Sequence, residues 1–352
     1  MRKRWLLCLT MIVLVITVTA CGEKSQEDVV KDLDKTLQEM SGYQAEATMA
    51  LQTGQEPRSY EVDVWHMQNE KNKYYRVALK NDNEEQNQMI IRNDDGVFVL
   101  TPALNKSFRF QSDWPNNNSQ VYLYESLISD ILMDAERTFA VHEDKYVFET
   151  KTNYQNKNLH HQEITLDSKS LVPVSVKIYD PDYELLVEVT FTNFEMNKSF
   201  DEADFDTEKN MTAADWEVPA MADEAPEGTE TVIEEEQQSE EFAVAYPTYE
   251  PQGSSLTDSE EIQGEDGKRV ILSYTGEKSF TIIQEEAQTV PAMAEVEVGA
   301  GDPVDLTFTV GIQTEDSLSW TYDGVDYFLA SNDLSPEEMM AVARSMEGTM
   351  VK

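Results

Sequence analysis

The sequence predicts an α+β protein: a large antiparallel sheet with few helices, followed by a smaller second unit of the same class. Three observations carry that prediction. Apolar and polar residues alternate over many short runs, apolar residues at helical spacing occur in only three segments, and an acidic stretch divides the chain past its middle. The 352 residues leave room for two domains of ordinary size. With 40% hydrophobic and 27% charged residues, the composition supports real cores rather than disorder throughout.

The chain opens with Arg2, Lys3 and Arg4 before an apolar run from Trp5 to Ala20, near the length of an export signal and too short for a spanning helix. The run ends in Val18-Thr19-Ala20-Cys21-Gly22, which resembles the bacterial lipobox. That resemblance implies cleavage between Ala20 and Cys21 and a diacylglycerol thioether, with palmitate-type acyl chains, on Cys21. The mature protein is then expected on the extracytoplasmic face of the cell membrane, held by lipid. Acyl chains contribute about 0.8 kcal/mol per buried methylene. Cys8 falls in the discarded leader, which leaves the mature chain no free thiol for redox or thiol catalysis.

Ser25 and Asp28 have the spacing of a helix cap, and Val29, Val30, Leu33, Leu37 and Met40 then recur at helical intervals, which predicts a helix over 26–41. From Tyr43 the period changes to two, with Ala45, Ala47, Met49 and Leu51 in phase, and Tyr60, Val62 and Val64 follow the same rule. Further strands are expected at 73–80, 87–92, 97–101 and 106–111; Asp95-Gly96 suits a tight hairpin. Ser119 offers an N-cap for a second helix over 120–134, built on Leu123, Leu127 and Ile131. Strands resume at Phe139, 146–152, 162–166, 172–179 and 185–194.

No Lys or Arg occurs between Asn210 and Gly267, while Glu234–Glu236 and Glu240–Glu241 concentrate negative charge. Like charges this dense keep a chain extended, so 207–241 is expected to be an acidic linker between a domain at 21–206 and a small α+β domain at 242–352. Few contacts should then cross between the two units. In the second, alternation at 242–249, 270–274, 279–284, 304–312, 317–322 and 327–330 predicts strands. Ser335, Pro336 and Glu338 open a closing helix.

Lys and Arg number 27 against 68 Asp and Glu, a formal charge of -41. A surface that negative repels phosphate backbones, which excludes nucleic acid as a general partner. The four His residues (His66, His142, His160 and His161) include no helix-spaced pair for a metal and are expected at the surface, and no phosphate-binding glycine loop or nucleophile elbow is present. The sequence thus gives no catalytic residue, no metal ligand set and no cofactor site, and a non-enzyme is expected. Asp180, Asp182 and Glu184 form a charged turn without the offsets of a calcium loop. What the first unit does offer is a set of large apolar side chains on strands: Trp65, Tyr75, Met89, Phe98, Leu100, Phe108 and Phe110. A curved sheet only partly covered by two helices can leave a hollow among them, and these seven are the candidate lining. A filled core is the alternative, which composition does not separate from it. Phe98 and Leu100 share one strand face and are expected to point inward.

Trp65-His66-Met67-Gln68 through Tyr74-Tyr75-Arg76-Val77, Asn93-Asp94-Asp95-Gly96 with the strand after it, and Phe108-Arg109-Phe110 through Asp113-Trp114-Pro115 to Ser119-Gln120 resemble sporulation-associated lipoproteins of Gram-positive spore formers. These are similar to the wider superfamily of the outer-membrane lipoprotein carrier LolA. The resemblance implies an incomplete antiparallel β-barrel wrapped round helices, with an apolar interior that receives acyl chains in the carrier. The C-terminal unit resembles a domain of unknown function of Gram-positive surface proteins. Together these imply a membrane-anchored, non-catalytic protein that binds a lipid, another hydrophobic ligand or a protein partner in envelope or spore assembly. The alternative is a regulator that docks on an envelope or spore-cortex enzyme or an anti-sigma factor.

Overall fold

The computed structural model describes residues 24–52, 58–69, 71–81, 87–110, 113–115, 119–154, 159–212, 242–264, 267–288, 294–299, 301–306 and 308–346. Residues 1–23, which include Ala20 and Cys21, and the acidic segment 213–241 lie outside the described residues.

Helix α1 (Gln26–Glu39) starts at Ser25, whose hydroxyl accepts the Asp28 N–H and satisfies one of the amides a first turn leaves open. Its Val29 and Leu33 are fully buried, each contributing on the order of 1.5–3 kcal/mol. A first meander follows: β1 (Gly42–Leu51), β2 (Arg58–Gln68), β3 (Lys73–Lys80), β4 (Gln88–Asn93), β5 (Gly96–Thr101) and β6 (Lys106–Phe110). The β4–β5 hairpin turns at Asp94-Asp95, with Asn93 paired to Gly96. Gly96 has φ 143°, and a Cβ there would lie 2.8 Å from the Phe110 carbonyl oxygen, so a side chain does not fit.

Helix α2 (Tyr124–Met133) then crosses to a second meander of β7 (Thr138–His142), β8 (Lys145–Lys151), β9 (His161–Asp167), β10 (Pro173–Tyr179) and β11 (Leu185–Met196). β11 pairs antiparallel with β1, joining both meanders into one open sheet. The helix expected from residue 120 begins four residues later. Gln120–Leu123 close a turn, and the Ser119 hydroxyl donates to the Asp130 carboxylate (2.8 Å) instead of capping.

The inner face of this sheet packs on α1 and α2. Tyr43, Ala45, Ala47, Met49 and Leu51 from β1 meet Val62, Val64, Val77, Ile90, Ile164, Val176 and Val189 there, with Leu127, Ile128 and Ile131 of α2 above them. The outer face of β2–β5 is covered too. The chain after β11 returns over it through Phe200, a 3-10 turn at Glu202–Phe205 and the short helix α3 (Thr207–Thr212). Residues 207–212, expected to open the acidic linker, are therefore part of the first unit. The Asn210 side-chain oxygen accepts from buried Arg76 Nε (2.8 Å), and Arg76 also pairs with Asp63 and lies 4.3 Å from the Trp65 ring.

The second sheet has the order β12-β13-β14-β19-β18-β17-β16: β12 (Ser254–Gly264), β13 (Gly267–Gly276), β14 (Phe280–Glu286), β16 (Asp302–Asp305), β17 (Val310–Gln313), β18 (Ser317–Tyr322) and β19 (Val325–Ala330). α4 (Pro336–Ser345) covers its core with Met339, Met340, Val342 and Ala343, and its capping box between Ser335 and Glu338 is formed as the sequence implies. The expected strand at 242–249 is an extended segment with a single bridge at Ala245. The buried Gln284 amide holds it by accepting the Ala245 N–H (2.9 Å) and donating to its carbonyl (2.7 Å), as a strand backbone would. The single strand expected over 304–312 is the hairpin of β16 and β17.

The two units are not independent. β15 (Ala294–Gly299) leaves the second unit and pairs in parallel with β6, becoming the edge strand of the first sheet. The acidic stretch predicted few contacts between units, but this crossing runs through 294–310, far from that stretch in sequence.

Candidate functional site

The candidate site is the inner face of the first sheet where the second unit meets it. The seven residues proposed as a lining do not converge. Tyr75 and Phe110 are in the inner core, and Phe108 packs against it. Met89, Phe98 and Leu100 are in the opposite core, with Trp65 packed alongside, against Phe205, Phe200 and Met211. Phe98 therefore points away from α1 and α2, and the inward-facing residues of β5 are Val97 and Val99. The physical reason is that β3–β5 are covered on both faces, so their sequences are apolar in both phases and alternation loses its meaning.

Among the described residues, the inner face is filled where the second unit meets β1–β4. At its open end Met49, Tyr60, Leu79, Ile90, Trp114 and Tyr122 from the first unit meet Val304, Phe308 and Val310 from the second. The free volume left between them is ≈ 20 Å³, roughly one water-sized sphere. The plug is fixed by hydrogen bonds as well as by packing. Tyr60 Oη donates to the Phe308 carbonyl (2.8 Å). Gln88 Oε1 accepts the Val310 N–H (2.7 Å) and the Thr309 hydroxyl (3.0 Å), and its Nε2 faces the Val310 carbonyl (3.4 Å). Lys106 pairs with Asp326 (2.7 Å) beside a cleft of ≈ 260 Å³ between β5–β6 and β18–β19.

A polar cluster lies deeper, under α2. Tyr43 Oη donates to Glu125 Oε2 (2.9 Å) and accepts the Tyr124 N–H (3.2 Å). The His66 ring stacks on Tyr75 at 4.4 Å, its Nδ1 lies 3.0 Å from the Tyr74 carbonyl oxygen, and its Nε2 is 3.9 Å from Glu125 Oε1. His66 Nε2, Tyr75 Oη and Glu125 Oε1 make no hydrogen bond. Burial pushes the Tyr43 and Tyr75 hydroxyls well above the usual phenol range, with the Glu125 charge adding to it, and burial lowers His66. An imidazole, a carboxylate and two phenols are catalytic residue types, but His66 and Tyr75 are fully buried, so no substrate reaches them in this conformation. The cluster ties α2 to β1–β3. The expectation of a surface histidine fails at His66, which is fully buried because it continues the inward phase of Val62 and Val64, and nothing in the sequence links it to Glu125.

A second buried carboxylate, Asp130 on α2, accepts from Ser119 Oγ (2.8 Å) and from Gln162 Nε2 (2.7 Å). Burial pushes it up to about 6. Beyond it, on the outer surface of β8–β10, Glu136, Glu149, Lys151, His161, Glu163, Tyr179 and Tyr183 border an open groove of ≈ 360 Å³. Tyr183 stacks on His161 at 4.3 Å. In the adjoining turn, Asp180 Oδ1 accepts the Asp182 and Glu184 N–H groups, which commits that carboxylate to its own backbone. Among the described residues no three His, Cys, Asp or Glu side chains are grouped to hold a metal ion.

What fold and site define is a two-unit sheet protein. Its first unit is an open antiparallel sheet wrapped round two helices, and its interior is closed by its own second unit. The sequence matches the family described as sporulation protein YdcC-like over residues 2–205. It is also 50% identical over 352 residues to the sporulation protein YdcC of Bacillus subtilis (strain 168), covering 100% of this chain and 99% of that one. The chain belongs to the YdcC-like sporulation protein family.

Solved structures similar to it include the Pseudomonas aeruginosa MucA/MucB complex, at TM-score 0.33 and 14% identity, covering 90% of this chain and 97% of that one. The CwlD amidase from Clostridioides difficile in complex with the GerS lipoprotein gives TM-score 0.29 and 18% identity over 49% of this chain and 97% of that one. The LolA superfamily protein NE2245 from Nitrosomonas europaea gives 0.29 and 10% over 53% and 99%.

Proposed function

We propose that this sporulation protein is anchored by lipid on Cys21 at the extracytoplasmic face of the cell membrane and works there, without catalysis, by binding a protein partner. The anchor rests on Arg2–Arg4, the apolar run and the Val18–Cys21 pattern. The choice of a protein over an acyl lipid rests on one observation: the hollow where Met49, Tyr60 and Ile90 meet Val304, Phe308 and Val310 keeps only ≈ 20 Å³ free. Ligand sites for drug-sized apolar molecules occupy about 300–1,000 Å³, and here that space holds Phe308, Val310 and the side chains of α2. From Cys21 onward the chain carries 68 carboxylates against 24 cations (27 less Arg2, Lys3 and Arg4), a balance that favours a partner of opposite charge and speeds its encounter.

The test is native mass spectrometry of the chain carrying Cys21→Ser, which takes the anchor lipid out of the measurement. The bare polypeptide mass is expected. A stoichiometric acyl species that survives purification would return the protein to lipid carriage.

A further inference from the structure

The second sheet ends in a strand that nothing in the described chain covers. β12 spans Ser254–Gly264 and pairs on one side only, with β13. Every residue from Ser255 to Gly264 is exposed, Leu256 and Ile262 at 39% each. Side chains of a strand alternate between its two faces, so exposure of consecutive residues means that neither face is buried under a further layer of the described chain. Along the free edge, alternate residues direct N–H and C=O groups outward without a strand partner. Fixing the backbone costs roughly 1–2 kcal/mol per residue, and β12 offsets this with its ladder to β13 alone, burying no apolar side chain.

Charge says what this edge accepts. Asp258, Glu260 and Glu261 stand on it, among the described residues only Glu261 of the three makes an ion pair (Lys268, 3.4 Å), and the sequence from 210 to 267 contains no Lys or Arg. A second copy of β12 laid antiparallel would set these carboxylates against one another, which is destabilising between strands. A strand carrying Lys or Arg meets the opposite situation.

We propose that β12 is a docking edge at which a basic, extended segment of a protein partner adds as an eighth strand to the second sheet. Main-chain hydrogen bonds hold the segment, Asp258, Glu260 and Glu261 select its charge, and Leu256 and Ile262 give contact to its apolar residues. The edge is formed in the free protein, so the partner alone is ordered on binding. The inference rests on the reading of the chain as protein-binding, and its test does not depend on whether the interior holds lipid.

The probe is a synthetic peptide alternating Lys with Val, added to the full chain carrying Cys21→Ser and followed by fluorescence anisotropy. Saturable binding is expected, weakened about tenfold or more by the exposed double substitution Asp258→Lys/Glu260→Lys. The same peptide N-methylated at alternate residues keeps its charge and cannot donate to a strand, so it should bind at least tenfold more weakly. Equal binding of the N-methylated peptide means adsorption by charge and overturns the proposal. Unchanged affinity in the double variant, equal binding of a Glu/Val peptide, or no binding of any peptide also overturns it, as does a dimer of the chain that the double variant dissolves. Circular dichroism of the variant checks that the fold is kept.

Discussion

Gln88→Ala tests whether the second unit closes the first. Gln88 is buried on β4, and its amide satisfies the backbone of Val310, which is buried in the inner core. Truncation leaves the Val310 N–H without an acceptor and its carbonyl without the long contact from Nε2, while the Thr309 hydroxyl keeps its second acceptor at Thr321. An unpaired buried backbone group costs about 1–3 kcal/mol, so with the partial loss at the carbonyl the variant should lose about 2–4 kcal/mol. Gln88→Glu retains an acceptor for Val310 and separates the hydrogen bond from packing, at the cost of a buried charge. The assay is urea unfolding followed by Trp fluorescence. The parent should unfold in one transition, because β15 and Val310 make the two units share a sheet and a core. The alanine variant should show a lower midpoint and two separable steps. With a protease site placed between 213 and 241, the cleaved parent halves should co-elute and the cleaved variant halves should separate. Parent halves that part on cleavage, or an unchanged midpoint in the variant, would refute the closure.

Three further outcomes are expected. Phe98→Ala should cost about 3–5 kcal/mol of stability and leave binding of an apolar dye unchanged, because Phe98 belongs to the outer core; acquired or lost dye binding would contradict that placement. The folded Asp130 carboxyl titrates near 6 against 3.8 in the unfolded chain, so its contribution to stability is full below 3.8 and lost as pH rises through 6. Asp130→Asn removes that loss, and its stability relative to the parent should rise by roughly 3 kcal/mol between pH 4 and pH 7, read from paired denaturation curves; a difference independent of pH would refute it. Cys21→Ser should move the protein from the membrane fraction to the medium or hold it as precursor, and full membrane retention after normal cleavage would sink the anchor.

Local features of the fold were legible because their causes are local. The caps at Ser25 and Ser335 need only residues three apart, and the β1 pattern from Tyr43 to Leu51 needs only one face buried on each side of the pleat. The face of Phe98 was not legible, since it depends on a segment a hundred residues later, Phe200 to Met211, returning over the sheet. β12 carries Asp258, Glu260 and Glu261, residue types depleted in strands, and has no face that alternates into a core, so neither propensity nor alternation marks it. β15 pairs with a strand that lies nearly two hundred residues earlier. Of the candidate site, the aromatic content was visible and its division between two cores was not. Nothing local pairs His66 with Glu125, and only the fold sets Nε2 and Oε1 3.9 Å apart.

The strand order gives the second sheet two different edges. β16 and β17, at one end, form the hairpin whose Val304, Phe308 and Val310 plug the first unit, and β12, at the other, has no further strand beside it among the described residues. A free unit would have to protect both edges from adventitious pairing. Here one is committed to closing an interior that would otherwise expose Met49, Ile90 and Tyr122 to water, and the other is guarded by carboxylates that reject copies of itself. The sheet between them is continuous through β13, β14, β19 and β18, so a partner strand on β12 would be held in fixed geometry to the first unit rather than through a flexible hinge. On the proposed lipid anchor, the same negative charge pushes the body away from anionic headgroups over roughly a Debye length of 8–10 Å. Attraction of a basic partner and repulsion from the membrane then act together to keep the β12 edge facing the aqueous side.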